Sequence, residues 1–452
     1  MRFLLLLPVL LLLPSMALAH ASEQGFVLLL PTDLYVAGGA ASVALTVLLI
    51  ALVPPAWAAA LFRPVGLARV RPLPGRARIG LAVTAALMGL VALGLTGPHD
   101  PTENLLPLGI WSLFWIFLVS LTLIAGGLWR VADPWRGVWA LAHGLGWRRL
   151  VRLPRALGSW LALASFLAFA AVLLAHPAPA DPDRLALMVL SYWGLHMAGT
   201  LVFGPTWLRR AEGLGTLLRL YGQIALLARR GRALRLGLPG WQALQMPRPA
   251  LAQATFMLTA LGVGSFDGLN ETFWWFGRIG INPLEFPGRS AVVWQSFAGM
   301  VVAVALLIGA YTLCIWLGLR LVRMPLDLRA GYCLLAPAIL PIALAYHIAH
   351  YLPSSLVEAQ NVWEALGHLT GLWHWHVTTG FFNTRATVQV IWLTQAGAVV
   401  LGHVIAILMS HLIALRLTGN HARAAVSQLP LAVFMVLYTL FGLWLLASPR
   451  GI

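Results

Sequence analysis

The sequence predicts an all-α fold: a polytopic integral membrane bundle of about ten transmembrane helices that follows a cleaved signal peptide. Three observations lead to this prediction. Hydrophobic residues make up 60% of the 452 residues and charged residues only 10%, a composition that is atypical of soluble domains. Apolar runs of about 20 residues, long enough to cross a bilayer, recur along the chain. Arginine is concentrated in alternate connecting loops.

The chain opens with an apolar run that ends at small residues. Met1 and Arg2 precede LLLLPVLLLLPSM, and Ala17-Leu18-Ala19 supplies small residues at the two positions that signal peptidase reads. We therefore expect residues 1–19 to be removed and His20 to begin the mature chain. The α-amine and imidazole of an N-terminal histidine can chelate one metal ion, copper for example. His20 is therefore a candidate metal ligand.

The remaining chain contains ten apolar segments that we interpret as membrane spans. The shortest of them, 250–266, ends in Ser265-Phe266-Asp267. The predicted spans lie near 34–56, 79–97, 105–129, 156–175, 184–205, 250–266, 291–318, 331–352, 386–414 and 427–447.

The charge distribution predicts the orientation of these spans. The formal net charge is +16, and every basic side chain other than histidine is arginine. Arginines cluster in the loops around 63–78, 130–155, 209–248 and 320–329, which share one side if the spans alternate. Most acidic residues fall on the other side. This pattern predicts an inner-membrane protein with a periplasmic N-terminus. It excludes nucleic acid as a partner and leaves the lipid bilayer, including anionic lipid.

The organisation predicted from these features is a single helical transmembrane domain over 20–452. Within it, 206–249 is a basic cytoplasmic segment whose leucine and arginine spacing predicts an amphipathic helix on the inner membrane surface. Cys314 and Cys333 fall inside or near the inner face, where we expect no disulfide.

The motif AYHIAHYLP, residues 345–353, predicts the main metal site. His347 and His350 are three residues apart, so both imidazoles leave one face of a helix. Polar groups inside a membrane are costly and usually functional. Two interpretations are open: a pair of transition-metal ligands, or two histidines of an aromatic belt that bond to neighbouring helices. In the first, Tyr351 supplies no bond to the metal ion, so Tyr351→Phe should matter little.

Two further segments carry candidate residues on the predicted outer side. In GHLTGLWHWHVTTGFF, His376 is a possible metal ligand, although the interleaved tryptophans are also typical of a membrane interface. In VGSFDGLNETFWWFG, Asp267 and Glu271 are four residues apart at the outer end of a span. A carboxylate at this depth requires a partner, which is either Arg278 or Arg289 in a structural ion pair or a metal held by the histidines.

Two histidines lie near the middle of their spans. His196 and His403 fall at similar depth on different spans, and two opposed histidines at mid-membrane are what haem b requires. The alternative is that each bonds to a backbone carbonyl. His403 is also a candidate metal ligand.

Four stretches resemble bacterial membrane proteins of the fenitrothion hydrolase-like family: HASEQGFVLLLPTDLYVAGG, SFDGLNETFWW, LPIALAYHIAHYLP and GHVIAILMSHLIAL. They occur in order over most of the mature chain, and none is a recognised catalytic signature. The resemblance implies hydrolysis of an organophosphate triester. It groups His20, Asp267, His347, His350 and His403 as the residues of interest.

Three functions from different classes follow. The first is a metal-dependent hydrolase of a small hydrophobic phosphotriester, with a copper or zinc ion activating water and Asp267 and Glu271 as catalytic carboxylates. The second is a protein that binds or transports copper or another transition metal. The third is a haem-b electron carrier, which would require an electron-accepting partner such as a membrane subunit.

Overall fold

The computed structural model describes residues 27, 29–52, 54–71, 75–286 and 288–450. The predicted signal peptide and His20 lie outside this part of the chain. A π-helix spans Leu108–Leu118, and the three strands are β1 (Val65–Arg69), β2 (Leu227–Arg230) and β3 (Ala233–Leu236). The α-helices are α1 (Thr32–Leu52), α2 (Pro55–Leu61), α3 (Arg76–Thr96), α4 (Leu105–Pro107), α5 (Val119–Leu121), α6 (Trp129–Ala132), α7 (Pro134–Gly144), α8 (Trp160–Ala175), α9 (Pro182–Phe203), α10 (Thr206–Arg210), α11 (Gly213–Tyr221), α12 (Leu251–Asn270), α13 (Phe273–Arg278), α14 (Val293–Leu321), α15 (Leu328–Leu335), α16 (Leu340–Thr370), α17 (Arg385–Thr418) and α18 (His421–Ala447).

The fold is a multi-pass membrane bundle of helices, which confirms the helical and membrane character predicted from the sequence. Among the described residues, seven helices are long and apolar enough to cross a bilayer. The other three predicted spans overlap the shorter apolar stretches Leu105–Leu121 and Trp160–Ala175 and helix α12, which is not one of the seven. The seven helices are Thr32–Ile50, Arg76–Thr96, Pro182–Phe203, Arg289–Leu321, Leu328–Thr370, Arg385–Thr418 and His421–Ala447.

The centre of the bundle is the span Leu328–Thr370, which contains α15 and α16. In the most apolar 18-residue stretch of this span, 83% of the residues are buried. The corresponding stretch of Thr32–Ile50, at the periphery, has 17% of its residues buried. Helices α12, α17 and the π-helix pack directly on α16. A polar side chain on α16 therefore faces protein on most sides, so it needs a hydrogen-bonding partner within the bundle.

The π-helix Leu108–Leu118 stands between α16 and the helices α3, α8 and α9. A π-helix of 11 residues is unusual, because π-helical geometry occurs mostly as single turns and frequently at functional sites. Trp111 and Phe114 of this helix line a cavity beside α3, α8 and α9, whereas Trp115 lines a smaller one beside α16. Trp115 packs against Phe169 of α8, with ring centroids 4.9 Å apart. The π-helix therefore separates two regions of the interior.

The segment 206–249 does not form the single surface helix that its leucine and arginine spacing predicts. It folds into two short helices, α10 and α11, followed by the hairpin β2–β3. Helix α11 is buried rather than lying on the surface. The leucines pack into the core, and Gly231, with φ of +59°, breaks the helical pattern because it permits the tight turn between β2 and β3.

The hairpin also joins two loops that the arginine pattern places on one side of the membrane. Strand β3 pairs antiparallel with β1, Val65 opposite Leu236, and with β2 on its other edge. The guanidinium of Arg416, at the end of α17, donates to the backbone carbonyl of Leu244 at 2.5 Å. These contacts tie the loop around 63–78 and the end of α17 to the segment 206–249.

Candidate functional site

The candidate site lies where α12 crosses α16. His347 and His350 leave one face of α16, as their spacing predicts, and they are only 7% and 6% exposed. Asp267, on the last turns of α12, is 7% exposed and faces them. Three polar side chains that the sequence groups as candidates are therefore buried at one helix crossing.

Asp267 is the hydrogen-bonded centre of this cluster. Its Oδ2 lies 3.3 Å from His350 Nε2 and accepts a hydrogen bond from the Tyr351 hydroxyl at 2.5 Å. A buried carboxylate requires hydrogen-bond donors, and the Tyr351 hydroxyl and the His350 ring supply them. The hydrogen bond from Tyr351 gives this residue a role at the carboxylate that the metal interpretation does not predict.

His347 is held from the other side by the π-helix. Its Nε2 lies 3.0 Å from the backbone carbonyl oxygen of Trp115. A carbonyl only accepts hydrogen bonds, so in the neutral ring the proton is on Nε2. The Trp115 ring packs edge-on against the imidazole, with centroids 5.1 Å apart. Both histidines are thus oriented through Nε2, one by a carboxylate and one by a carbonyl.

Two buried polar atoms of the cluster remain available for a hydrogen bond. Among the described residues, neither His350 Nδ1 nor Tyr346 Oη has a hydrogen-bond partner, although both are buried. Both residues line a cavity of about 20 Å³ together with Asp267, His347 and Tyr351. A cavity needs about 10–15 Å³ to hold a water, which also needs at least two polar partners. The site therefore has the volume and the hydrogen-bonding groups for one water molecule.

Gly268 allows Tyr346 to take this position. A Cβ at residue 268 would lie 2.0 Å from Tyr346 Oη, whereas at Gly264, one turn earlier, the nearest atom is Tyr346 Cδ1 at 3.8 Å. The Tyr346 ring stacks on His350 with centroids 6.0 Å apart. The close approach of α12 to α16 at Gly268 thus sets one wall of the cavity.

Glu271 lies outside the cluster. Helix α12 ends at Asn270, so Glu271 is its C-cap and does not continue the face that carries Asp267. Its Oε2 lies 3.5 Å from Arg450 Nη1. Of the two interpretations of this carboxylate, the ion pair is the one that the geometry favours, with Arg450 rather than Arg278 or Arg289 as the partner.

The structure does not bring His196 and His403 together. His196 has both ring nitrogens engaged: Nδ1 accepts from the Trp207 indole at 3.0 Å, and Nε2 lies 3.1 Å from Ser165 Oγ. His403 Nδ1 donates to the Val399 carbonyl at 2.9 Å. The two rings contact different residues, so this geometry lacks the opposed pair of ligands that haem b requires.

The remaining predicted metal ligands also lie apart from the cluster. His376 is exposed in the loop after α16, and His20 is outside the described residues. In the part of the chain that the structure describes, no group of three or more His, Cys, Asp or Glu side chains is placed to hold a metal ion. The Nε2 atoms of His347 and His350 already contact protein acceptors. Each ring therefore has at most its Nδ1 atom available to bind a metal ion.

A second buried polar network was not predicted from the sequence. Glu212 caps the N-terminus of α11, accepting from the backbone N–H groups of Leu214 and Gly215 at 2.8 and 2.6 Å. The Tyr192 hydroxyl donates to the same carboxylate at 2.6 Å. Burial raises the pKa of Glu212 from an ordinary 4.5 to about 7, although these hydrogen bonds act in the opposite direction.

The residues that sequence reasoning missed act through tertiary contacts. Tyr346, Tyr351 and the Trp115 carbonyl complete the His350 cluster, and only the position of the two tyrosines beside the histidines could have indicated a role. The Asp267–Tyr351 contact spans 84 residues of sequence, which no local pattern reports.

Comparisons with known proteins add no assignment. No family model matches the chain, and neither a characterised protein nor a solved structure matches it.

Proposed function

We propose that the protein is a membrane hydrolase in which His350 activates water with Asp267 as its partner. Its substrate class would be a small hydrophobic ester, such as an organophosphate triester. One observation carries this proposal: His350 Nε2 lies 3.3 Å from Asp267, while Nδ1 is unbonded within the described residues and the residue lines a water-sized cavity. An imidazole oriented by a carboxylate, with its other nitrogen directed at a water site, is the arrangement of a general base.

The proposed step is direct attack by water. As the water oxygen bonds to phosphorus, its proton moves to His350 Nδ1. The bond from phosphorus to the leaving group breaks, and the leaving group departs with the bonding electron pair. Asp267 stabilises the imidazolium through its Nε2–H, and the proton then passes from Nδ1 to the leaving group or to solvent.

The neighbouring groups support this role by holding the dyad in place. Tyr351 donates to Asp267 Oδ2, which restricts the carboxylate, and the apolar rings around it exclude competing water. Electrostatic interactions are stronger in such surroundings than in water. A hydrophobic substrate also partitions into the bilayer, which concentrates it beside a site buried in the membrane bundle.

Transition-metal binding is the second candidate function. His347 and His350 are both oriented through Nε2 by an acceptor, as metal-bound histidines usually are. A copper or zinc ion would be held by the Nδ1 atoms of both rings, with His20 as a further ligand from outside the described residues. Such an ion would supply Lewis acidity or a bound hydroxide.

We also propose the finer topology: ten spans in the inner membrane, with residues 1–19 removed and the mature N-terminus at His20 in the periplasm. Reporter fusions after Arg149, Arg230 and Arg323 should report cytoplasm, and fusions after Asp181 and Glu364 should report periplasm. An inverted result at any two of these would contradict the ten-span order. N-terminal sequencing of the mature protein tests the cleavage site.

The catalytic proposal is tested with purified protein and a hydrophobic phosphotriester that releases a coloured nitrophenolate. Asp267→Asn removes the charge that stabilises the imidazolium, so the rate should fall by about 10²- to 10⁴-fold, the usual range for general-base catalysis. Glu271→Gln, one turn further along, is the matched control and should keep the wild-type rate. An active Asp267→Asn protein would refute the proposal.

The same assay separates the two candidates when a chelator and elemental analysis are added. The acid–base proposal predicts that activity survives chelation and that purified protein carries less than one metal ion per chain. Loss of activity with a chelator, restored by copper or zinc, would instead support the metal site.

A further inference from the structure

A large apolar cavity lies on the far side of the π-helix from the His350 cluster. Its volume is about 750 Å³, within the roughly 300–1,000 Å³ typical of ligand sites. The walls come from α3, the π-helix, α7, α8 and α9, and include the rings of Trp111, Phe114, Trp135 and Phe169. This lining suits a hydrocarbon chain.

The cavity runs along α9 and opens towards lipid. Arg184 and Leu195 mark its extent on this helix, roughly 16 Å at about 1.5 Å per residue. One leaflet of a bilayer is about 15 Å of the ~30 Å hydrocarbon core. Leu187 and Leu195 line the cavity and are 61% and 63% exposed, so its side is open to the membrane. The length of the cavity and its opening to the membrane both match an acyl chain of one leaflet.

One end of the cavity carries a guanidinium group. Arg184 lines this end and is exposed, and in the described structure its guanidinium has no hydrogen bond or ion pair. His176 lies at the same end, where its Nδ1 accepts from the Ala178 N–H at 3.2 Å. The proton of the neutral ring is therefore on Nε2, which leaves a second donor. Guanidinium and imidazole N–H groups suit a phosphate oxygen.

Arg184 also departs from the arginine pattern of the chain. It begins α9 at the predicted outer side, whereas most arginines gather at the inner side, where they set orientation. The two neighbouring carboxylates have other contacts: Asp183 lies 3.5 Å from His99, and Asp181 accepts from the backbone N–H of Arg184 at 3.0 Å. An outward arginine at the mouth of a lipid-length cavity fits an anionic ligand.

At the opposite end of the cavity, the Tyr192 hydroxyl already has hydrogen-bond partners within the protein. Tyr192 lines the cavity there, but its hydroxyl donates to Glu212 at 2.6 Å and accepts from Ser165 at 3.2 Å. This hydroxyl is therefore not free to bind the polar head of a ligand such as a quinone. The headgroup site is the Arg184 end.

We propose that this cavity binds one anionic phospholipid of the predicted outer leaflet. An acyl chain lies between α3, α8, α9 and the π-helix, and the phosphate group contacts Arg184 and His176. This binding does not depend on the proposed hydrolase activity.

The test uses the full chain reconstituted in phosphatidylcholine vesicles. In two parallel experiments, the vesicles contain a trace of photoreactive phosphatidylglycerol or of photoreactive phosphatidylcholine, each with the reactive group in its acyl chain. After illumination, the labelled peptides are identified by mass spectrometry. Phosphatidylglycerol should label the π-helix, α8 and α9 more strongly than phosphatidylcholine does. Arg184→Gln should reduce this excess about fivefold, as one basic group near the membrane surface contributes about 1 kcal/mol.

Two further variants make the result specific. Arg385→Gln removes an exposed arginine from the first turn of α17, also at the predicted outer side, and should leave the labelling unchanged. Val172→Trp fills the cavity and should reduce labelling by both lipids; if it fails to fold, Arg184→Gln decides alone. Equal labelling by the two lipids in wild type, or labelling by a photoreactive fatty acid but not by phosphatidylglycerol, would overturn the proposal.

Discussion

Replacing Glu212 by glutamine should change how the stability of the protein depends on pH. Glu212 is 1% exposed, and burial raises its pKa from 4.5 to about 7. The folded protein therefore binds this proton more tightly than the unfolded chain does. Stability contributed by the protonated form is fully present below about pH 4.5, falls as the pH rises, and is lost above about pH 7.

The size of the effect follows from the pKa difference. Each unit corresponds to about 1.4 kcal/mol, so the wild type should lose roughly 3 kcal/mol from Glu212 between pH 4.5 and 7.5. Glutamine stays neutral, and it can still accept from Leu214 or Tyr192 through its one carbonyl. The Tm of Glu212→Gln relative to wild type should therefore rise by several degrees across this window.

The two free cysteines provide the assay. Cys314 and Cys333 are both buried, so a thiol-reactive fluorogenic dye labels them only when the protein unfolds, and a thermal ramp gives Tm at each pH. Glu285→Gln, at an exposed glutamate, controls for the loss of one carboxylate. A Tm difference between Glu212→Gln and wild type that does not change from pH 5 to 7.5 would refute the argument.

Two further predictions concern the His350 cluster. Gly268→Ala should destabilise the protein by about 1–3 kcal/mol, because its Cβ would lie 2.0 Å from Tyr346 Oη. Gly264→Ala, whose Cβ would have its nearest contact at 3.8 Å, should stabilise the protein by roughly 0.5–1 kcal/mol. Thermal unfolding of the two variants tests both values. Tyr351→Phe removes the 2.5 Å hydrogen bond to Asp267, which should cost about 1.5–3 kcal/mol in stability and also lower the hydrolysis rate. A Tyr351→Phe protein with wild-type Tm and rate would mean that this hydrogen bond contributes nothing.

The membrane fold was predictable because the bilayer imposes a simple requirement on sequence. Apolar runs are local features, so they located the seven helices of the described residues that are long and apolar enough to cross a bilayer. Local features do not specify how wide a helical turn is or how loops pair. The π-helix Leu108–Leu118 and the sheet of β1, β3 and β2 depend on tertiary packing, and both were missed.

The candidate site was predictable only where it rests on helical spacing. The common face of His347 and His350 follows from three residues of separation on α16. The same reasoning fails for Glu271, since α12 ends one residue earlier and the side chain turns to Arg450. It also fails for His196, whose partner Trp207 comes from the next helix.

The most direct test of the central claim compares two buried histidines in one hydrolysis assay. His350 is oriented by a carboxylate and lines the water-sized cavity, whereas His403 is held by a backbone carbonyl. Both variants, His350→Gln and His403→Gln, are first checked for wild-type Tm with the thiol dye. The account predicts that His350→Gln loses about 10²- to 10⁴-fold in rate, while His403→Gln stays close to wild type. Equal rates for wild type and a folded His350→Gln protein would contradict it.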